Sequence, residues 1–214
     1  MNNDEHGVTA AKELGRIETR KHEARIIAAL RSFSQLREGL KKSEHLRQFL
    51  AINDAAQLCL VYDLDISLLT FQTLYAETEW PRNLNARLLA MTIWECVDDL
   101  QKITGERFRS AVSALTMGNE LQTRVDKTMK QMNKFKNEHE RMLVEIRKIT
   151  AAHRDLDLGL LFDVMKRTNP KTLFKLSMEL SRLLGEFTSV LKDVIQDAKQ
   201  LFRQARLMEG SGST

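Results

Sequence analysis

Ala55-Ala56-Gln57-Leu58-Cys59-Leu60-Val61-Tyr62-Asp63-Leu64-Asp65-Ile66-Ser67-Leu68-Leu69-Thr70-Phe71 is the longest apolar run in the chain. Its aliphatic residues do not keep to one face. A helix that is apolar all round has neighbours on every side, so the run predicts a central helix over about 51 to 79. Asp63 and Asp65 make it too polar to cross a bilayer. The first proline follows in Glu79-Trp80-Pro81-Arg82-Asn83. The residue before a proline is pushed out of the α region, which predicts that the central helix ends there.

On either side, the flanks carry helical spacing. Ile17, Ile26, Ile27, Leu30, Phe33 and Leu36 recur at three- and four-residue steps, giving one or two helices over about 8 to 50. Leu84, Leu88, Leu89, Met91, Trp94 and Val97 predict an inward face for a helix over 84–103, stopped by Gly105. A shorter helix is expected over 106–117, interrupted at Gly118, and a long one over 119–152. Another short helix runs from Asp155 to about Arg167. Asn169-Pro170 is a cap followed by proline in the first helical position, and it opens a last helix to about 206.

The expected fold is all-α: an antiparallel helical bundle of five to seven helices with one long basic helix. Residues 1–50 form a basic helical arm, 51–206 the bundle, and 207–214 a flexible tail ending Gly-Ser-Gly-Ser-Thr. Composition agrees with this. The chain has 214 residues, 43% of them hydrophobic, and only two prolines and nine glycines to break helices. Cys59 and Cys96 lie inside apolar patterns and read as buried small hydrophobes, not as a disulfide or metal pair. A polar start, Met1-Asn2-Asn3-Asp4-Glu5-His6, predicts no secretory leader and a cytoplasmic location.

The formal net charge is +4, so distribution matters more than the total. In the arm, Arg16 to Arg47 interleave with Glu13, Glu18, Glu23, Glu38 and Glu44, the pattern of a solvated helix face. Between Leu121 and Arg154, nine Lys or Arg face four Asp or Glu, a local excess of five. Met132, Phe135, His139, Met142, Ile146, Ile149 and His153 form an alternating apolar seam on the same segment. Its methionines suit an adaptable helix contact, including one with a second copy.

This basic helix closes on Arg147-Lys148-Ile149-Thr150-Ala151-Ala152-His153-Arg154-Asp155. Metal-free RNA cleavage needs a group that moves a proton and a fixed positive charge on the phosphate, roles that histidine and arginine suit. Histidine moves a proton near neutral pH. Arginine holds the phosphate bidentately as its charge rises. On an ideal helix the two side chains, six positions apart, point about 120° from each other. They converge if the helix ends near His153 or if a second copy faces the first.

The Arg-x5-His spacing and the Ala-Ala-His-Arg-Asp run resemble the HEPN superfamily, all-α domains with an R-x(4–6)-H motif, in its toxin and abortive-infection branch. As helical layout the resemblance covers about 52 to 205; its specific part is the nine residues just quoted. It implies a metal-independent endoribonuclease with catalytic Arg147 and His153. Lys148 and Arg154 would hold the phosphate, Asp155 would be a supporting residue, and Glu95 could pair with Arg147. It also implies a homodimer with a composite cleft, RNA as partner, and room for an antitoxin or other protein partner. Active members often carry Asn, Asp or His after the arginine; Lys148 stands there, which can hold phosphate but is a poor base. A non-catalytic helical interaction module is the competing reading.

Other constellations yield less. Glu95, Asp98 and Asp99 cluster at helical spacing and read as a solvated or ion-paired face, with no Glu-x-x-His to complete a di-metal site. No metal or other cofactor is expected. His139 reads as a seam residue, and Trp80 and Trp94 as packing residues. His153-Arg154-Asp155-Leu156 matches a kinase catalytic-loop string, but no glycine-rich phosphate loop accompanies it and Leu160 stands where a metal-binding Asn is needed.

Overall fold

The structure is a computed structural model that describes residues 2–42, 44–151 and 168–211. Among them are α1 (Asn2–Lys42), a 3-10 turn (Glu44–Phe49), α2 (Leu50–Tyr75), α3 (Glu79–Ile103), α4 (Glu106–Ser113), α5 (Gly118–Ala151) and α6 (Pro170–Ser211). There is no strand among the described residues, and the all-α bundle is as expected. No described helix is long and apolar enough to cross a membrane. The short helix expected after Asp155 lies outside the described residues.

Helices α2, α3, α5 and α6 form an up-down-up-down four-helix bundle. Side-chain pairs fix each register. Tyr62 on α2 meets Asp99 on α3, and Lys136 on α5 meets Asp98 on α3. Arg124 on α5 meets Asp193 on α6, and Cys59 on α2 meets Thr188 on α6. As expected, α2 is central: it touches α1, α3, α4, α6 and the 3-10 turn. Its buried residues include Ile52, Ala55, Ala56, Cys59, Tyr62 and Ile66.

Proline acts differently from expectation at Pro81. α2 ends earlier, at Tyr75, and Pro81 sits in the first turn of α3. The first amides of a helix have no intrahelical acceptor, so a proline there breaks no bond. The helix begins bonding one residue later, where Arg82 N donates to Thr78 O at 3.4 Å. At Pro170 the expectation holds: Lys171 N donates to Asn169 Oδ1 at 3.0 Å and Leu173 N to Asn169 O at 3.1 Å. Helix α6 continues to Ser211, beyond the expected end near 206.

The inward face of α3 is also rotated from the expected one. Ala86, Leu89, Ala90, Ile93, Cys96, Val97 and Leu100 are buried, whereas Trp80, Leu84 and Leu88 are exposed. Small residues at 86 and 90 let α3 approach its neighbours closely, and the larger leucines are left at the margin. In α5 the predicted seam holds in part: Met132, Phe135 and Ile146 are buried and His139 and Met142 half-buried, while Leu121, Val125, Met129 and Leu143, not expected in the seam, are buried with them. Met129 and Met132 are covered by this chain's own helices, so they are not free to meet a second copy. Gly118 opens α5 because a Cβ there would lie 2.7 Å from Val112 O.

The arm is part of the packing. α1 runs antiparallel along α2, joined by Lys12–Glu77, His22–Asp63 and Arg37–Asp54 at 3.1, 3.0 and 2.8 Å. Ile26 and Leu40 are buried against the bundle, while Ile17 and Leu36, expected inside, are exposed. The packed line instead takes in Gly15 and His22. A Cβ on Gly15 would come within 3.2 Å of the Phe71 ring, so glycine lets the backbone lie on the Phe71–Tyr75 ring pair.

Candidate functional site

One end of the bundle gathers the C-termini of α2 and α5 and the N-termini of α3 and α6, as their antiparallel registers require. Arg147 and Lys148 stand at this end, on the last described turn of α5. Both are exposed. Neither makes a hydrogen bond or ion pair among the described residues. α5 stays α-helical through Ala151, so Arg147 is held on a regular helix. His153, Arg154 and Asp155 lie outside the described residues.

Glu95 does not join Arg147. It faces α2, where its charge helps to raise the Tyr62 phenol, after burial and the Asp99 hydrogen bond have done most of that work. Lys136 and Asp98 define the α3–α5 register, and Arg147 lies eleven residues beyond Lys136. Glu95 is therefore level with about residue 139, roughly 12 Å along the axis from Arg147.

The acidic cluster around Glu95 is structural. Asp98 accepts from Lys136 at 2.9 Å and pairs with Lys102 at 2.7 Å. These two ammonium groups, Lys102 first, hold the Asp98 carboxyl down at about 2. Asp99 accepts from Tyr62 Oη at 2.7 Å, which lowers its carboxyl below the usual range. Lys136 also lies 4.2 Å from the centre of the Trp94 ring, a cation–π contact. Among the described residues no group of three or more His, Cys, Asp or Glu could hold a metal. His139 is a seam residue, as expected: its ring meets Phe135 edge-on at 5.0 Å.

One feature of α5 is not apparent from a charge count. Lys127, Lys134, Arg141 and Lys148 recur every seven residues and are all exposed. A seven-residue step returns to nearly the same side of a helix, so the four cations form one stripe that runs into the motif. Lys134 pairs loosely with Glu138, four residues on, at 3.7 Å. Beside the end of the stripe, a shallow dish of about 500 Å³ takes in Arg141, Val144 and Lys148, with Glu140 and Glu145. Two cations against two carboxylates make the dish nearly neutral, so the stripe, not the dish, is the surface suited to phosphate.

Two buried groups also lack a sequence signal. Arg87 on α3 is 3% exposed, and its Nε and Nη1 have no partner among the described residues. Burial lowers its readiness to hold a proton, although an arginine stays charged. Asn53 on α2 is 2% exposed with both amide atoms unpaired among the described residues. Both thiols are buried; desolvation pushes Cys59 up to about 11 and Cys96 well above its ordinary value, so neither is a nucleophile at neutral pH. Comparison with protein-family models, with curated proteins and with solved structures finds no match to this chain.

Proposed function

We propose that the chain is a metal-independent endoribonuclease of HEPN type, working in the cytoplasm as a toxin or anti-phage effector. The observation that carries this reading is Arg147: an exposed arginine with no partner among the described residues, at the end of a basic stripe and six positions before His153. A guanidinium in that state has its whole donor fork available to phosphate. In the proposed step the RNA 2′-oxygen attacks the adjacent phosphorus and the bond to the 5′-oxygen breaks. A 2′,3′-cyclic phosphate and a 5′-hydroxyl result. His153 takes the 2′-hydroxyl proton and passes it to the leaving 5′-oxygen, and Arg147 balances the charge that builds on the phosphorane. Lys127, Lys134, Arg141 and Lys148 track the RNA backbone.

A composite cleft needs a second copy, and an apolar surface lies at the right end for one. Trp80, Leu84 and Leu88 recur every four residues on the first half of α3 and are exposed, Trp80 at 57%. An exposed stripe of large apolar residues is the usual mark of a contact surface. With Met129 and Met132 used internally, this stripe is the better candidate for the homodimer contact.

Incubating the purified protein with transfer RNA in EDTA tests the reading. Cleavage leaving cyclic phosphate ends, and lost in both Arg147→Ala and His153→Ala, is expected. Intact RNA, or cleavage that survives both substitutions, contradicts it. Lys148 favours a second reading, a non-catalytic module that binds RNA or a partner protein along the same stripe. That reading gains if RNA is bound, with a loss in Arg147→Ala, but never cut.

A further inference from the structure

α1 rests on α2 and faces α6 across an open cleft, with α2 as its floor. The cleft measures about 410 Å³ and is lined by Phe33 from α1, Ala56 and Cys59 from α2, and Leu191 and Ile195 from α6. Ligand pockets commonly fall between about 300 and 1,000 Å³. A recess of about 60 Å³ continues it past Phe33, Ile195 and Lys199.

The polar groups here are few and of one kind. Lys192 and Lys199 border the cleft, seven residues apart on one side of α6, and neither makes an ion pair among the described residues. No carboxylate is among the described residues that line the cleft or the recess. Asn53 lines the recess, buried, with neither its Oδ1 nor its Nδ2 partnered among the described residues. Both amide atoms are closed off from the recess, whose wall is almost wholly apolar. Asn53 and Lys199 lie at the same end; Cys59 and Thr188, 3.3 Å apart, lie at the other.

We propose that this cleft binds a single-chain amphiphile with a carboxylate head, the head at the rim beside Lys192 and Lys199 and the chain lying over Ile195, Leu191 and Cys59. Lys199 and Lys192 neutralise the carboxylate at the rim, and the apolar recess extends the surface open to the chain. The site is independent of the motif on α5 and does not rest on the nuclease reading.

Titration calorimetry on the full chain tests the proposal, with dodecanoate below its micelle concentration and dodecanol and dodecylamine as matched chains. Saturable binding of dodecanoate is expected, at least about tenfold tighter than either control, a difference of about 1.4 kcal/mol. The double variant Lys192→Glu/Lys199→Glu, on the surface, should erase that preference. Thr188→Trp, at an exposed lining position, should block all three ligands with an unchanged circular dichroism spectrum. Absence of binding, equal affinity for the three head groups, or undiminished binding in Thr188→Trp overturns it. So does a cleft occupied by a second copy, seen as a dimer that excludes dodecanoate.

Discussion

Between Leu121 and Leu143, α5 turns two cations, Arg124 and Lys136, toward acids on other helices; over its last described turn, Arg147 and Lys148 meet none among the described residues. Arg124 reaches Asp193 on α6 and Lys136 reaches Asp98 on α3, each within 2.9 Å. Both halves are basic and both follow the same apolar seam. What differs is the neighbouring helix. α3 and α6 present carboxylates along the middle of the bundle, whereas at the motif end α3 presents Leu84 and Leu88. Arg124 and Lys136 fix helix register; Arg147, Lys148 and the outward stripe of Lys127, Lys134 and Arg141 are available to a ligand. Net charge alone cannot separate these roles, because +4 sums over both.

Substitutions at packed and at outward positions of α5 should therefore part company. The largest effect is expected in the seam. Phe135 is 2% exposed, so Phe135→Ala should cost about 3–5 kcal/mol by urea unfolding. Next is Arg147→Ala. It should leave the stability from urea unfolding within about 0.5 kcal/mol of wild type and reduce RNA cleavage by about 10²–10³-fold. Smaller again is Lys136→Met, which removes an ion pair and a cation–π contact beside Trp94. A loss of about 1 kcal/mol is expected, with RNA affinity unchanged at fixed salt.

The salt dependence of RNA binding separates the same two classes of cation. Each stripe cation that contacts a phosphate on a single strand contributes about 0.7 to the slope of log K against log salt. Lys127→Ala, Lys134→Ala and Arg141→Ala should each flatten the slope by roughly that amount, and Lys136→Met should not. The smallest effect concerns acid. The Asp98 carboxyl is held at about 2, below its ordinary 3.8. Its contribution is therefore present above about pH 4 and lost as pH falls toward 2. Asp98 is partly exposed, so the contribution is small; Asp98→Asn should flatten the acid limb of the stability profile slightly.

The fold is legible in the sequence wherever burial alone decides it. The all-round apolar α2, the seam of α5 and the leucine-rich face of α6 read directly as helices because each buries a continuous apolar line. Asn169-Pro170 reads correctly because a cap is a local matter. Sequence and structure part where the packed line contains small or polar residues. In α1, Gly15 and His22 hold the contact while Ile17 and Leu36 face out; in α3, Ala86 and Ala90 take positions expected of Leu84 and Leu88. Hydrophobicity does not report close backbone approach. Pro81 misleads because a proline ending one helix and a proline beginning the next look alike in sequence.

For the candidate site, Arg147 and Lys148 can be picked out because their spacing to His153 is local. Glu95 cannot be placed, since its position depends on the rotation of α3 that the leucines disguise. The seven-residue basic stripe is present in the sequence and emerges once α5 is known to be a single helix. Asn53 and Arg87 give no signal, because nothing local tells a buried polar residue from an exposed one.

The decisive experiment sets Arg147→Ala beside Lys136→Met, measuring transfer RNA cleavage in EDTA and the urea midpoint on the same preparations. Arg147→Ala is expected to lose cleavage and keep its midpoint, while Lys136→Met keeps cleavage and loses stability. Cleavage that responds equally to both substitutions, or to neither, would contradict the division of the α5 cations into register-fixing and ligand-facing ones.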